Sequence, residues 1–99
     1  MSVNRRAARR DANEAEIVSA LLSAGASVQQ LSAPGCPDLL VAFRAELFLL
    51  EVKTLTGKLT SDQIAWHAAW DGSVSIVRSV AEAFAAIGAV TGPRQCSIL

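Results

Sequence analysis

Ninety-nine residues, 52% of them hydrophobic, are enough for one domain with a packed core. Nine basic and nine acidic residues cancel, which excludes a strongly cationic nucleic-acid binder, and no apolar stretch approaches the ~18 residues that span a bilayer. Two cysteines, Cys36 and Cys96, and a single histidine make neither a zinc pattern nor a disulfide framework.

Residues 1–12 read as a basic N-terminal arm, because Arg5, Arg6, Arg9 and Arg10 cluster there. The stretch lacks the apolar core of a secretory signal, so a reduced, cytoplasmic setting is expected. Arg9 and Arg10 either contact DNA phosphates or belong to a solvated terminus. A helix is predicted over about 13–24, stopped by Gly25. Ile17, Val18, Leu21 and Leu22 define its apolar stripe; at ~100° per residue Glu14 falls near the centre of that stripe and Glu16 nearly opposite. A core-facing carboxylate needs a charged partner or a metal, since burying it alone is costly. Glu14 has a second reading, because Asp11-Ala12-Asn13-Glu14 has capping-box spacing with Glu14 at N3. Glu14 and Glu16 both remain candidates for the helix carboxylate.

A short strand at about 26–31 leads into the loop at 32–37, where Gly35 lets the backbone bend ahead of the next strand. The segments PDLLVAF (37–43) and ELFLLEVK (46–53), separated by the turn candidate Arg44-Ala45-Glu46, predict a buried hairpin over about 38–53. Side chains alternate faces, so Glu51 and Lys53 share a side and Val52 points to the other. A chain that reverses near residue 45 brings Asp38 beside Glu51. Two carboxylates with a lysine next to them make a divalent-metal site with a positioned cation, a combination suited to phosphodiester hydrolysis. The same residues admit a plainer reading, in which polar groups end a buried hairpin and Glu51 and Lys53 form a same-face ion pair.

The loop at 54–60 carries Thr54, Thr56, Lys58 and Thr60, with Lys58 placed to touch a backbone phosphate or simply solvated. A second helix is predicted at about 61–70 with Thr60 or Ser61 as N-cap. Gln63, early in that helix, can donate and accept, which suits orienting a phosphate, a water or Lys53; the alternative is an exposed surface glutamine. His67, one turn later on the same face, is read as a packing or surface residue rather than a general base. Trp66 and Trp70 are read as core or dimer contacts rather than base-stacking groups. Asp71-Gly72 signals a turn before a strand at 74–78, and Ser79 caps a helix at 80–87 that Gly88 ends. Residues 89–99 form a tail. Its last four, Cys96-Ser97-Ile98-Leu99, fit the C-a-a-X prenylation pattern, but the flanking sequence carries no polybasic segment, and no membrane partner is expected.

Pro37-Asp38, Glu51-Val52-Lys53, the upstream Glu14 and the downstream Gln63, set in the order αβββαβα, resemble the PD-(D/E)xK nuclease superfamily. The likeness is closest to its small VRR-NUC type members, the archaeal Holliday-junction resolvases and short phage-encoded nucleases, and covers about residues 11–87. It implies an α/β fold with a restriction-endonuclease-like core, a mixed sheet flanked by helices, over a domain at 13–88. It also implies Mg²⁺ or Mn²⁺ bound by Asp38, Glu51 and the Val52 carbonyl, with Glu14 adding a carboxylate. Hard oxygen donors suit these ions better than zinc. Lys53 would orient the attacking water and stabilise charge at phosphorus, with Gln63 assisting. The implied activity is that of a DNA endonuclease acting on branched or flapped structures; the alternative is a nuclease-fold DNA-binding or partner-dependent subunit of weak activity. One neutral protomer offers little basic surface, so a homodimer is expected, joined through Trp66, Trp70 and the apolar faces of the last two helices.

Overall fold

The computed structural model describes residues 12–89. In chain order these form α1 (Glu14–Ser23), β1 (Ser27–Gln30), β2 (Leu39–Phe43), β3 (Glu46–Val52), α2 (Ser61–Ala69), β4 (Ser75–Val77) and α3 (Val80–Ile87). The expected arm, with Arg9 and Arg10, and all of the expected tail beyond Ala89 lie outside the described residues. The sheet order is β1-β2-β3-β4, with the first two pairings antiparallel and the last parallel. The expected order αβββαβα and mixed sheet are therefore what the chain forms.

One face of the sheet is buried. Leu39, Val41 and Phe43 of β2, Leu50 and Val52 of β3 and Val77 of β4 meet Ile17 and Leu21 of α1 and Ala83 and Ile87 of α3. Period-two alternation produces this face: β2 alternates buried and half-buried along its length, and Leu39 stands opposite Leu50. The other face carries Leu40 and Ala42 of β2 with Leu47, Leu49 and Glu51 of β3. Its cover is slight, because no residue of α2 is buried. No helix among the described residues is long and apolar enough to cross a membrane.

The helix ends follow local chemistry. Thr60 caps α2 and Ser79 caps α3, each accepting from the backbone N–H three residues on. Gly25 and Gly88 take positive φ just past α1 and α3. At the start of α1 the structure corrects the sequence reading. Asn13 is the N-cap residue and makes no side-chain cap, so Glu14 is the first helical residue and the capping box with Glu14 at N3 does not form. The Asn13 amide is engaged elsewhere, donating to Lys53 O and Arg78 O, each at 3.1 Å. The wheel did sort the glutamates correctly: Glu14 is 2% exposed and Glu16 lies at the surface.

The core reading of the tryptophans is also corrected. Trp66 is half-buried and Trp70 is 45% exposed; the two rings stack on each other at 4.7 Å. The nine-residue α2 is too short and too lightly seated to bury them.

The hairpin turn is tighter than Arg44-Ala45-Glu46, because Glu46 already pairs with Phe43. Arg44 and Ala45 alone make the connection, with φ of 53° and 68°. Positive φ at both central residues gives the twist that a two-residue hairpin needs, and glycine or asparagine normally supplies it. The Arg44 guanidinium lies over the Phe43 ring at 4.9 Å. An L-residue in the left-handed region is strained by roughly 1–2 kcal/mol, while glycine adds about 0.4–1 kcal/mol of unfolded-state entropy. Ala45→Gly should therefore stabilise the protein by about 0.5–1 kcal/mol, read as a higher urea midpoint at unchanged slope.

Candidate functional site

The ends of β2 and β3 hold the charged groups that the sequence singles out. Leu39 pairs with Leu50, so Asp38 sits at the register position opposite Glu51, and both positions belong to the face away from α1 and α3. Asp38 Oδ2 accepts from Val52 N at 2.8 Å, fixing that carboxylate against the last residue of β3. The loop before Asp38 is held against the first turn of α2. Gly35 has φ of 79°, and a Cβ there would stand 2.7 Å from Asp62 O, so only glycine allows this approach.

Glu51 is 0% exposed. Three nitrogen groups converge on its carboxylate. Gln63 Nε2 donates to Oε2 at 3.0 Å, Lys53 Nζ lies 4.0 Å from the same oxygen, and His67 Nε2 stands 3.5 Å from Oε1. Such partners are what a fully buried carboxylate requires. Gln63 is held from behind as well: its Oε1 accepts from Thr60 N at 2.8 Å, and its own backbone N–H donates to Thr60 Oγ1 at 3.2 Å. The capping box that starts α2 thus also aims an amide at Glu51.

Lys53 is nearly buried, and its backbone is gripped on both sides. Its N–H donates to Val77 O at 3.0 Å, and its carbonyl accepts from Asn13. The loop beyond it is gathered by Arg78, whose Nη1 donates to Thr54 O at 2.6 Å, Gly57 O at 2.8 Å and Leu55 O at 3.4 Å. Sequence reasoning missed Asn13 and Arg78. An asparagine ahead of a helix looks like a local cap, and an arginine after a short strand looks solvated, so neither carries a signal of its long-range partners.

Glu14 accepts from Gln30 Nε2 at 2.9 Å. Gln30 pairs with Leu39, and Leu31 N donates to Asp38 O at 2.8 Å, so Glu14 reaches the same strand ends from the α1 side of the sheet. His67, read as a packing or surface residue, packs beside Glu51; its spacing of four from Gln63 was the available sign of that partner. Lys58 is exposed in the loop after Lys53. The Cys36 thiol donates to Pro37 O at 3.4 Å.

Among the described residues, no group of three or more His, Cys, Asp or Glu side chains could hold a metal ion. The two facing carboxylate positions suit the sparser mode of Mg²⁺, which takes one or two carboxylates and fills its remaining positions with water and substrate phosphate. No family model, no curated protein and no solved structure matches the chain.

The double use of Gln63 has a measurable consequence. Gln63→Ala removes half of a capping box and one donor to a buried carboxylate, and should cost about 1–3 kcal/mol. Gln63→Glu keeps the capping acceptor yet sets a second carboxylate against Glu51, so it should cost more than the alanine. Urea denaturation of both variants near neutral pH checks the order; a glutamate variant as stable as wild type would show that Gln63 acts only as a cap.

Proposed function

We propose that this protein is a metal-dependent nuclease hydrolysing phosphodiester bonds in DNA, and that its sheet and helices are a restriction-endonuclease-like core. The observation that carries the reading is the fully buried Glu51 beside Lys53, Gln63 and His67, at the strand end where Asp38 is tied to Val52. A plain surface ion pair does not need three nitrogen groups around one desolvated carboxylate. The order of strands, antiparallel twice and then parallel, agrees with the fold that the resemblance implies.

In this reading Asp38 and Glu51, with the Val52 carbonyl, hold Mg²⁺ or Mn²⁺. When bound, the ion supplies Lewis acidity toward a phosphoryl oxygen and a water more easily deprotonated at neutral pH. Lys53 offers an ammonium to the phosphate and helps orient the attacking water, and its gripped backbone limits how far that group can stray. Gln63 keeps Lys53 and Glu51 in register through its hold on Glu51. Glu14 contributes negative charge from the α1 side, and His67 bounds the site on the α2 side. Lys58, with Arg9 and Arg10, gives DNA a limited set of phosphate contacts. Branched or flapped DNA is the substrate class, and the cytoplasm the setting. The zero net charge favours a second reading, a DNA-binding or partner-dependent subunit of weak activity, which would bind these DNAs without cutting them.

Two substitutions test the proposal. Lys53→Ala should retain Mn²⁺ binding by calorimetry and lose about 100-fold or more of cleavage, the scale on which one charge-stabilising donor acts. Asp38→Asn should lose both. Cleavage of linear, flapped and branched DNA is followed with folding checked by circular dichroism. Equal cleavage by wild type and Asp38→Asn, after removal of host enzymes, would overturn the assignment.

A further inference from the structure

The two oxygens of Glu51 meet different partners. Oε2 accepts from Gln63 Nε2 at 3.0 Å and stands 4.0 Å from Lys53 Nζ, whereas Oε1 faces His67 Nε2 at 3.5 Å. Gln63 and His67 are one turn apart on α2, so the helix sets one side chain against each oxygen. Trp66 packs edge-on against the imidazole, with ring centroids 6.0 Å apart and planes at 73°, which restricts how the ring can turn.

The His67 Nε2 atom is buried and makes no hydrogen bond. A simple histidine–carboxylate pair would close to about 2.7–2.9 Å, the length of a charge-assisted bond. A buried nitrogen held short of that contact calls for a partner, and a cation is one that an imidazole nitrogen and a carboxylate oxygen can share. The separation suits one. Two donors each about 2.1 Å from an ion and about 110° apart stand about 3.4 Å from each other. Among the described residues no three His, Cys, Asp or Glu side chains are grouped to hold an ion by themselves, so an ion here keeps positions for water and substrate oxygen. The nitrogen also selects the ion. Mg²⁺ is bound almost wholly by oxygen, whereas imidazole suits the transition metals.

We propose that His67 Nε2 is a metal ligand beside Glu51 Oε1, and that the site takes a divalent first-row transition ion such as Mn²⁺ in preference to Mg²⁺. The inference rests on the reading of Glu51 as a metal ligand and adds a nitrogen to it. His67 is the only histidine, so the chain without an affinity tag offers a single imidazole. Pulsed electron paramagnetic resonance of the Mn²⁺-loaded full chain reads that imidazole directly. A nitrogen bonded to Mn²⁺ modulates the electron spin echo, and ¹⁵N-histidine labelling identifies it. The wild type should show a histidine modulation that His67→Gln abolishes. By calorimetry the variant should bind Mn²⁺ about 10-fold or more weakly, with Mg²⁺ affinity nearly unchanged. Far-ultraviolet circular dichroism checks the fold of the variant, and the wild-type spectrum decides the question even if that variant fails to fold. Mn²⁺ bound without histidine modulation would overturn this inference and leave the two-carboxylate site standing. A wild-type chain that binds no Mn²⁺ would overturn both.

Discussion

Glu51 is a carboxylate without solvent contact, set in a strand whose neighbours Leu49, Leu50 and Val52 are aliphatic. Removing such a group from water carries a penalty of several kcal/mol, and only close donors and cations offset it. The rest of the local architecture follows from that demand. Lys53 is confined beside it by strand period, and α2, which buries no residue of its own, is seated through Gln63 and approaches again through His67. Apolar burial holds α1 and α3 to one face of the sheet; a single polar residue does much of that work for α2 on the other.

The strand ends around Glu51 are fixed by side chains that satisfy backbone groups. Asp38 accepts from Val52 N, Asn13 donates to the carbonyls of Lys53 and Arg78, and Arg78 collects three carbonyls from the loop at 54–57. Arg78 N in turn donates to Glu82 Oε1 at 2.7 Å, which ties the start of α3 into the same network. The backbone of Lys53 is thus bonded by Val77 and Asn13, with Val52 before it held by Asp38 and the loop after it held by Arg78. A buried backbone group without a partner is expensive, so each of these bonds resists displacement of its neighbours. Lys53 consequently extends from a backbone whose N–H and carbonyl are both bonded to distant parts of the chain.

Much of this was legible in the sequence, for definite reasons. The hairpin was visible because LLVAF and ELFLLEV keep a strand period on both sides of a short polar break, and parity then set Asp38, Glu51 and Lys53 on one side. Glu14 could be told from Glu16 because a helical wheel has only one centre to its stripe. The turn at Arg44-Ala45 was misjudged by a residue, since neither side chain advertises positive φ. The capping box with Glu14 at N3 did not form, and the Asn13 side chain donates instead to two distant carbonyls that no local pattern announces. Arg78 was invisible as a partner because its contacts cross 21 to 24 positions, which no periodicity encodes, while His67 carried only its spacing of four from Gln63 as a sign. Of the two readings of Trp66 and Trp70, core or dimer contact, the core one fails because the helix that carries them buries no residue.

The two faces of the sheet therefore answer to different physics. On the α1/α3 face, hydrophobic area sets the packing, and one leucine can be exchanged for another aliphatic with modest loss. On the other face, charge satisfaction fixes the carboxylate end while the Leu47–Leu49 end is left open to solvent. A surface divided in this way keeps the Glu51 carboxylate out of bulk water and leaves exposed apolar area farther along the same strands. Leu47 and Glu51 stand four residues apart on the same face of β3, so one strand carries both the exposed apolar end and the buried carboxylate. The alternation of side chains along β2 and β3 thereby sets an apolar end and a charged end on one face of the sheet.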